Sequence, residues 1–309
     1  MQGGRGKIAI TCGDPSGVGP EVIASWLKEN PKEINDLCLI GPVCWIKELE
    51  RETGILGTGI GPIDFKIKPG IPTEMTAQLA FEALKLAANG CKEGNFRAAV
   101  TGPVSKYGLR QVGFNYPGQT EFFAANWGGE PTMAFCGDKL KLVLVTWHTR
   151  LREIYRYLTP KRITRAVEQA VFLCQRCGVK SPKIGVCGIN PHAGEKGLIG
   201  EEECKFIDPL LEKLQKAHLG LSLCQPADTI FWRALKGEFD VIVAMYHDQG
   251  LGPLKTLEFD SAVNITLGLS WIRTSPDHGT GFDIAGKGIA SNRSFGNAIT
   301  IARKLINLN

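Results

Sequence analysis

Histidine is scarce in this chain, five among 309 residues, and three of the five follow runs that read as β-strands. Val241 to Tyr246 is unbroken and apolar, the pattern of a strand covered on both faces. It leads into the loop His247-Asp248-Gln249-Gly250, with Pro253 and Lys255 closing the segment. Lys141 to Thr146 is apolar and β-branched and leads through Trp147 to His148, and Lys183 to Ile189 leads through Asn190 and Pro191 to His192. In open α/β sheets ligands bind beyond the carboxyl ends of the strands. Imidazole is the commonest metal-ligating side chain, and three such ligands with an open fourth position make a catalytic centre. The expectation is one metal ion shared by His148, His192 and His247. The plainer reading of each is a hydrogen-bonded histidine in a polar turn, since sequence separation alone does not bring the three together.

Other residues fall at comparable places. The strand Lys7 to Thr11 runs into G-D-P-S-G-V-G-P-E from Gly13 to Glu21, ahead of a helical stretch. Its spacing fits neither G-x-G-x-x-G nor G-x-x-x-x-G-K-[ST], so the glycines read as a tight turn. A strand at Ala98 to Val100 delivers Thr101-Gly-Pro-Val-Ser-Lys106, a set suited to an anion. Gln119-Thr120-Glu121 follows a Pro-Gly turn, with Thr120 in the place of an N-cap. Asp228 likewise has the position of an N-cap, one turn from the expected site. His218 reads as a helix-end cap, and the lone Cys174-x-x-Cys177 pair reads as packing.

The elements around these residues alternate. Helices are expected over Thr73–Ala88, with Gly90 past its end, over Thr159–Cys174 with Gly178 as its stop, and over Cys204–Ala217. Strands alternating with helices imply an α/β fold with largely parallel sheets, and 309 residues favour two domains. Hydrophobic residues at 43% and charged residues at 22% are ordinary for a globular protein, and the formal charge of +5 is scattered. Neither a nucleic-acid surface nor a membrane span is expected. Met1 to Lys7 has no apolar leader core, which points to a cytoplasmic protein.

From Arg273 to Asn292 the chain reads R-T-S-P-D-H-G-T-G-F-D-I-A-G-K-G-I-A-S-N, and its H-G-T-x-x-D-I-A-G-K-G-I-A core resembles the cofactor loop of isocitrate and isopropylmalate dehydrogenases. Together with T-G-P-V-S-K at Thr101, N-P-H-A-G-E at Asn190, P-A-D-T at Pro226 and Y-H-D-Q-G-L at Tyr246, the motifs resemble the 4-hydroxythreonine-4-phosphate dehydrogenase family of vitamin B6 synthesis. The resemblance covers nearly the whole chain. It implies a two-domain isocitrate/isopropylmalate dehydrogenase-like fold with the active site in the interdomain cleft. Residues 1–120 and 272–309 would form one domain with the cofactor loop, and residues 121–271 the other, with the histidines and dimer contacts. A homodimer with each active site at the subunit interface is also implied.

By the same resemblance His148, His192 and His247 would hold one divalent ion (Zn, Co, Mn or Mg). Gln119, Thr120, Lys255, Asn264 and Arg273 would contact a small phosphorylated substrate. His278, Asp283 and Asn292 would line the adenosine pocket of NAD. Asp228 and Asp248 fall beside the metal, and Asp248, Lys255 and Asp228 are the candidate catalytic groups. The activity implied is oxidation of 4-phosphohydroxy-L-threonine to a β-keto acid that decarboxylates to 3-amino-2-oxopropyl phosphate, on the route to pyridoxal 5′-phosphate. The metal would lower the pKa of the substrate hydroxyl. One departure stands out: the family usually has His-Thr-Glu where this chain has Gln119-Thr-Glu. Related dehydrogenases acting on other four-carbon phosphorylated acids or on dihydrodiols share these motifs. A metal-dependent hydrolase or a phospho-ligand binding protein would have no use for the adenosine loop.

Overall fold

The computed structural model describes residues 6–306, so most of the Met1–Lys7 stretch and residues 307–309 lie outside it. Eleven strands are present among the described residues: β1 (Lys7–Thr11), β2 (Leu37–Pro42), β3 (Gly57–Ile60), β4 (Phe96–Thr101), β5 (Gly129–Cys136), β6 (Lys141–Leu144), β7 (Ile184–Cys187), β8 (Leu221–Gln225), β9 (Val241–Ala244), β10 (Val263–Leu269) and β11 (Ile272–Pro276). They fall into two compact units, one running through Pro131 and resuming at Leu269, the other Thr132–Gly268. None of the described helices is long and apolar enough to cross a membrane.

In the first unit the order is β3-β2-β1-β4-β11, and all four neighbouring pairs are parallel. Buried Ile8, Ile10, Leu39 and Val100 explain why these short runs are strands. The helix Glu74–Lys92 covers the sheet with an alanine-rich face (Ala80, Ala83, Ala87). Its start is a reciprocal capping box, Thr76 N–H donating to Thr73 Oγ1 at 3.2 Å and Thr73 N–H to Thr76 Oγ1 at 3.0 Å. It does not stop before Gly90, as the sequence suggests, but runs on to Lys92. A Cβ at Gly90 would lie 2.4 Å from the Phe96 ring, so this glycine serves packing, not termination.

The unit reaches past residue 120 because the helix Gln119–Trp127 buries Phe122, Phe123 and Trp127 in the same core. Trp127 Nε1 donates to Ala88 O at 3.0 Å, and Ser270 Oγ donates to Trp127 O at 2.9 Å. Those contacts carry the division to Pro131/Thr132 and Gly268/Leu269.

In the second unit the order is β10-β5-β6-β9-β7-β8. The β5–β6 hairpin is antiparallel, while β6, β9, β7 and β8 pair in parallel. The helix Pro160–Arg176 starts on the Thr159 cap and ends before Gly178, whose φ is +94°. The helix expected over Cys204–Ala217 is instead a π-helical segment, Glu203–Ile207, followed by an α-helix, Asp208–Gln215.

The segment after β9 also differs from its sequence reading. The strand stops at Ala244, and His247 opens a helix, His247–Glu258, where a loop is expected. The helix continues through Pro253. Gly250 lets it lie close to β6, since a Cβ there would come 2.5 Å from Leu142. Its far end is fixed by buried Glu258, which accepts from Lys139 N at 2.7 Å and Leu140 N at 3.0 Å in the β5–β6 turn.

Candidate active site

The three histidines follow β6, β9 and β7, which are neighbours in the sheet and run in one direction. Parallel pairing delivers all three chain segments beyond the same edge. The His148 and His247 rings lie 5.7 Å apart, centroid to centroid, with their planes inclined by 38°. His247 Nδ1 is 2.7 Å from Asp248 Oδ1, a carboxylate–imidazole pair that leaves Nε2 toward a ligand. His192 is not drawn into this pair. Its Nδ1 stands 3.4 Å from Glu195 Oε2, and no group of three His, Cys, Asp or Glu side chains among the described residues is arranged to hold a metal. The structure thus brings two of the three expected ligands together and turns the third to its own loop. The donor set still suits a divalent ion: imidazoles on adjacent strand ends, one already oriented by a carboxylate.

Backbone conformation marks the same places. His148 has φ +43°, and His192 to Lys196 all have positive φ, with only Gly194 free of a Cβ penalty. At roughly 1–2 kcal/mol for each non-glycine residue, those four cost ~4–8 kcal/mol. Strain of this kind persists only where surrounding contacts over-determine it. Gln249 supplies one such contact, unremarked in the sequence reading beyond its place in the H-D-Q-G run. Its Oε1 accepts from Met245 N and its Nε2 donates to Gly188 O, both at 2.7 Å, tying the end of β9 to the end of β7.

The remaining candidates of this unit are more dispersed. Asp228 is exposed and is not an N-cap, because the helix Ala227–Leu235 is preceded by Pro226. Lys255 lies on the helix that His247 opens, about 12 Å along its axis at 1.5 Å per residue, with its Nζ 5.7 Å from the Phe259 ring. Asn264 is half-buried on β10.

In the other unit Arg273 is the most unusual group. It is 4% exposed on β11, beside β4, and its Nε donates to Thr101 Oγ1 at 3.0 Å. Burial pulls the guanidinium down to about 10, while Asp277 and Glu121 favour its charged form. Gln119 opens the helix that Gly118, not Thr120, caps; Thr120 sits buried in the first turn. Gln119 Nε2 approaches Gly102 O at 3.4 Å, and its buried Oε1 has no hydrogen-bond partner. What this glutamine offers a ligand is therefore an acceptor. Lys106 lines a cavity of about 560 Å³ with Tyr107, Arg110, Asn115 and Tyr116.

The segment expected to bind adenosine packs on the glycine-rich turn. Val18 N–H donates to Thr280 O at 2.8 Å, Gly286 N–H to Glu21 Oε2 at 2.7 Å, and Asn292 Nδ2 to Ser25 Oγ at 3.0 Å. A Cβ at Gly17 would meet Thr280 O at 2.6 Å, so the turn needs glycine for close approach. His278 Nδ1 donates to Gly279 O at 2.9 Å, and its Nε2 is buried without a partner. That orphaned nitrogen and the exposed Asp283 carboxylate suit a ligand with ring-nitrogen and hydroxyl groups. Glu21, which holds the loop, escaped the sequence reading.

The Cys174-x-x-Cys177 pair packs as expected. Burial pushes Cys174 up to about 12, and Cys136 is raised by its hydrogen bond to Cys177 and by burial. Such thiols are inert.

Comparison with known proteins covers nearly the whole chain. A family model described as "Pyridoxal phosphate biosynthetic protein PdxA" matches residues 30–302. The chain is 40% identical to the D-threonate 4-phosphate dehydrogenase of Cupriavidus necator, over 93% of each chain. It is 39% identical to the 4-hydroxythreonine-4-phosphate dehydrogenase of Zymomonas mobilis, over 96% of this chain and 94% of that one. Among solved structures, the 4-hydroxythreonine-4-phosphate dehydrogenase of Klebsiella pneumoniae superposes with a TM-score of 0.82 at 32% identity, covering 98% of this chain and 100% of that chain. A β-decarboxylating dehydrogenase from Thermococcus kodakarensis shares the fold at 16% identity and a TM-score of 0.54, over 97% of this chain and 83% of that chain. The relatives are named dehydrogenases, the fold is shared with a β-decarboxylating dehydrogenase, and the chain belongs to the pyridoxal phosphate biosynthetic PdxA family.

Proposed function

We propose that the chain catalyses the NAD-dependent, divalent-metal-dependent oxidation of 4-phosphohydroxy-L-threonine to a β-keto acid, which loses carbon dioxide to give 3-amino-2-oxopropyl phosphate in pyridoxal 5′-phosphate synthesis. The observation that carries this reading is the His148–His247 pair with Asp248, set on neighbouring parallel strands beside the strand that leads to His192. His148, His192 and His247 would hold the ion (Zn, Co, Mn or Mg). When bound, it would acidify the substrate hydroxyl and stabilise the enolate left by decarboxylation.

The protein's own groups do the rest. Arg273, desolvated and fixed by Thr101, receives an anionic end of the substrate, where a guanidinium can bind two oxygens. Lys255, Asn264 and Thr120 complete the contacts, and Gln119 Oε1 accepts from a substrate donor. Asp248 orients the His247 imidazole, leaving Lys255 and Asp228 as proton carriers. His278, Asp283 and Asn292 hold the adenosine half of NAD. Exposed apolar side chains on the second unit, Leu151 one turn from Tyr155 and Leu198 next to Ile199, support a homodimer with the active site at its interface. Ten free thiols fit the cytoplasm.

D-Threonate 4-phosphate is the second reading, favoured by the 40% identical relative named for it. It bears a hydroxyl where hydroxythreonine phosphate bears an amine, and either group can donate to Gln119 Oε1. The same chemistry would convert it to a hydroxyketone phosphate. NADH formation measured side by side on the two substrates decides between them. Activity on neither, with or without added metal, would reject both.

A further inference from the structure

His192 stands in a left-handed turn of five residues, with φ/ψ of 52°/29° at His192, 52°/43° at Ala193, 76°/−2° at Gly194, 44°/53° at Glu195 and 55°/31° at Lys196. Backbone bonds at the two ends of this loop run from Ala193 N–H to Asn190 O at 3.1 Å, from Leu198 N–H to Glu195 O at 3.2 Å and from Ile199 N–H to Gly194 O at 3.1 Å. Such bonds close the turn without setting its hand or its place on the sheet. One side chain beneath the loop does more. Glu203 is 2% exposed, at the start of the π-helical segment Glu203–Ile207. Its Oε1 accepts from Asn190 N at 2.7 Å and its Oε2 from Asn190 Nδ2 at 2.9 Å, while Nδ2 also donates to Glu202 Oε2 at 2.7 Å.

Two glycines bring the carboxylate closer still. A Cβ at Gly188 would lie 3.0 Å from Glu203 Oε1, and one at Gly194 would lie 2.7 Å from Oε2. Glu203 therefore reaches the loop where it leaves β7, at Asn190, and in the middle of the left-handed turn. Its hydrogen bonds go to Asn190 and not to His148, His192 or His247. A carboxylate this buried is costly unless its hydrogen bonds are made, so it locks the backbone that makes them. π-Helical turns are rare and recur at functional sites, and this one points Glu203 inward.

We propose that Glu203, clasping Asn190 beneath Gly188 and Gly194, is the positioning residue that holds the left-handed turn, and so fixes the backbone from which His192, its ring here turned to Glu195, reaches the metal. The inference rests on His192 being a metal ligand, and two separate readouts keep the two ideas apart. Relaxed to ordinary helical or extended backbone, the segment would carry the His192 imidazole to a different place. A purely structural Glu203 would affect folding without acting through that imidazole.

Chelator-stripped protein is titrated with Co²⁺ and followed by the visible absorption of the bound ion, for wild type, Glu203→Gln, His192→Ala and the double variant. Glu203→Gln keeps the shape but sets an amide nitrogen against Asn190 Nδ2. The expected result is at least a tenfold loss of Co²⁺ affinity in the wild-type background and less than a twofold loss in the His192→Ala background. Equal losses in both backgrounds, or none in the first, overturn the proposal. Amide exchange at Ala193 and Ile199 in metal-free protein is expected to quicken at least tenfold in Glu203→Gln, and unchanged exchange overturns the clasp without reference to metal. Wild type that fails to bind Co²⁺ rejects the metal reading itself and leaves the clasp to be judged on exchange. Should Glu203→Gln fail to fold, Asn190→Ala, which removes only the side-chain arm, is held to the same two criteria.

Discussion

Replacing Arg273 by methionine separates binding from folding, because the two effects are expected to differ in size and sign. Burial, net of the attraction of Asp277 and Glu121, brings the guanidinium from its ordinary value down to about 10, which at 1.36 kcal/mol per pH unit is ~3 kcal/mol against the charged form. Methionine relieves that cost at similar volume. It gives up the hydrogen bond to Thr101, worth about 1.5–3 kcal/mol for a charged donor. These nearly cancel, so urea unfolding should change by no more than ~2 kcal/mol, as when apolar groups replace buried ions elsewhere. Substrate binding has no such compensation. Loss of one charged hydrogen bond to an anion should raise KM roughly 10- to 150-fold. The sign of the pH effect follows: in wild type the penalty is fully present below about 10 and is relieved as pH rises above that, because the unfolded chain then holds the extra proton. The variant should lose this alkaline rise. A fold weakened by more than ~4 kcal/mol with KM unchanged would show Arg273 to be a structural clamp and refute the reasoning.

Three further outcomes are expected. Asp283→Ala should move the ratio of kcat/KM toward NADP by about tenfold, because an exposed carboxylate in the adenosine loop repels a 2′-phosphate; an unchanged ratio would remove Asp283 from the pocket. Gln119→His should bind substrate less tightly as pH falls below ~6.5, since protonation removes the acceptor that Gln119 Oε1 provides. Tighter binding at low pH would mean that this position faces phosphate. Gly90→Ala should cost ~1–3 kcal/mol of stability through the clash with Phe96 and leave KM alone, as thermal unfolding and steady-state rates would show.

The strand-end histidines were legible because burial on both faces writes a parallel strand as a continuous apolar run that stops where polarity returns. Val241–Ala244 and Ile184–Cys187 follow that rule. That the three strands are neighbours is a property of chain topology, which local pattern does not contain. The helix starting at His247 was hidden by Gly250 and Pro253, residues that usually break helices; here Gly250 permits contact with Leu142 and the helix runs on through Pro253. Gly90 misled in the same way, a glycine chosen by the Phe96 ring across the core. Side-chain direction was also out of reach. Sequence set His192 beside the others, whereas the left-handed turn and Glu195 decide where its ring goes. Gln249 and Glu21 gave no signal beyond their motifs, and Glu203 gave none, because their work is to hold backbone atoms distant in sequence.

The central claim is that one metal-dependent site both oxidises and decarboxylates. It is tested most directly by measuring NADH and carbon dioxide together from 4-phosphohydroxy-L-threonine, with D-threonate 4-phosphate in parallel, using chelator-treated protein before and after zinc, cobalt or manganese is restored. The account predicts neither product without metal, and the two in equal amounts on one of these substrates once metal returns. NADH formed at an undiminished rate by the stripped protein, or formed without carbon dioxide, would contradict it.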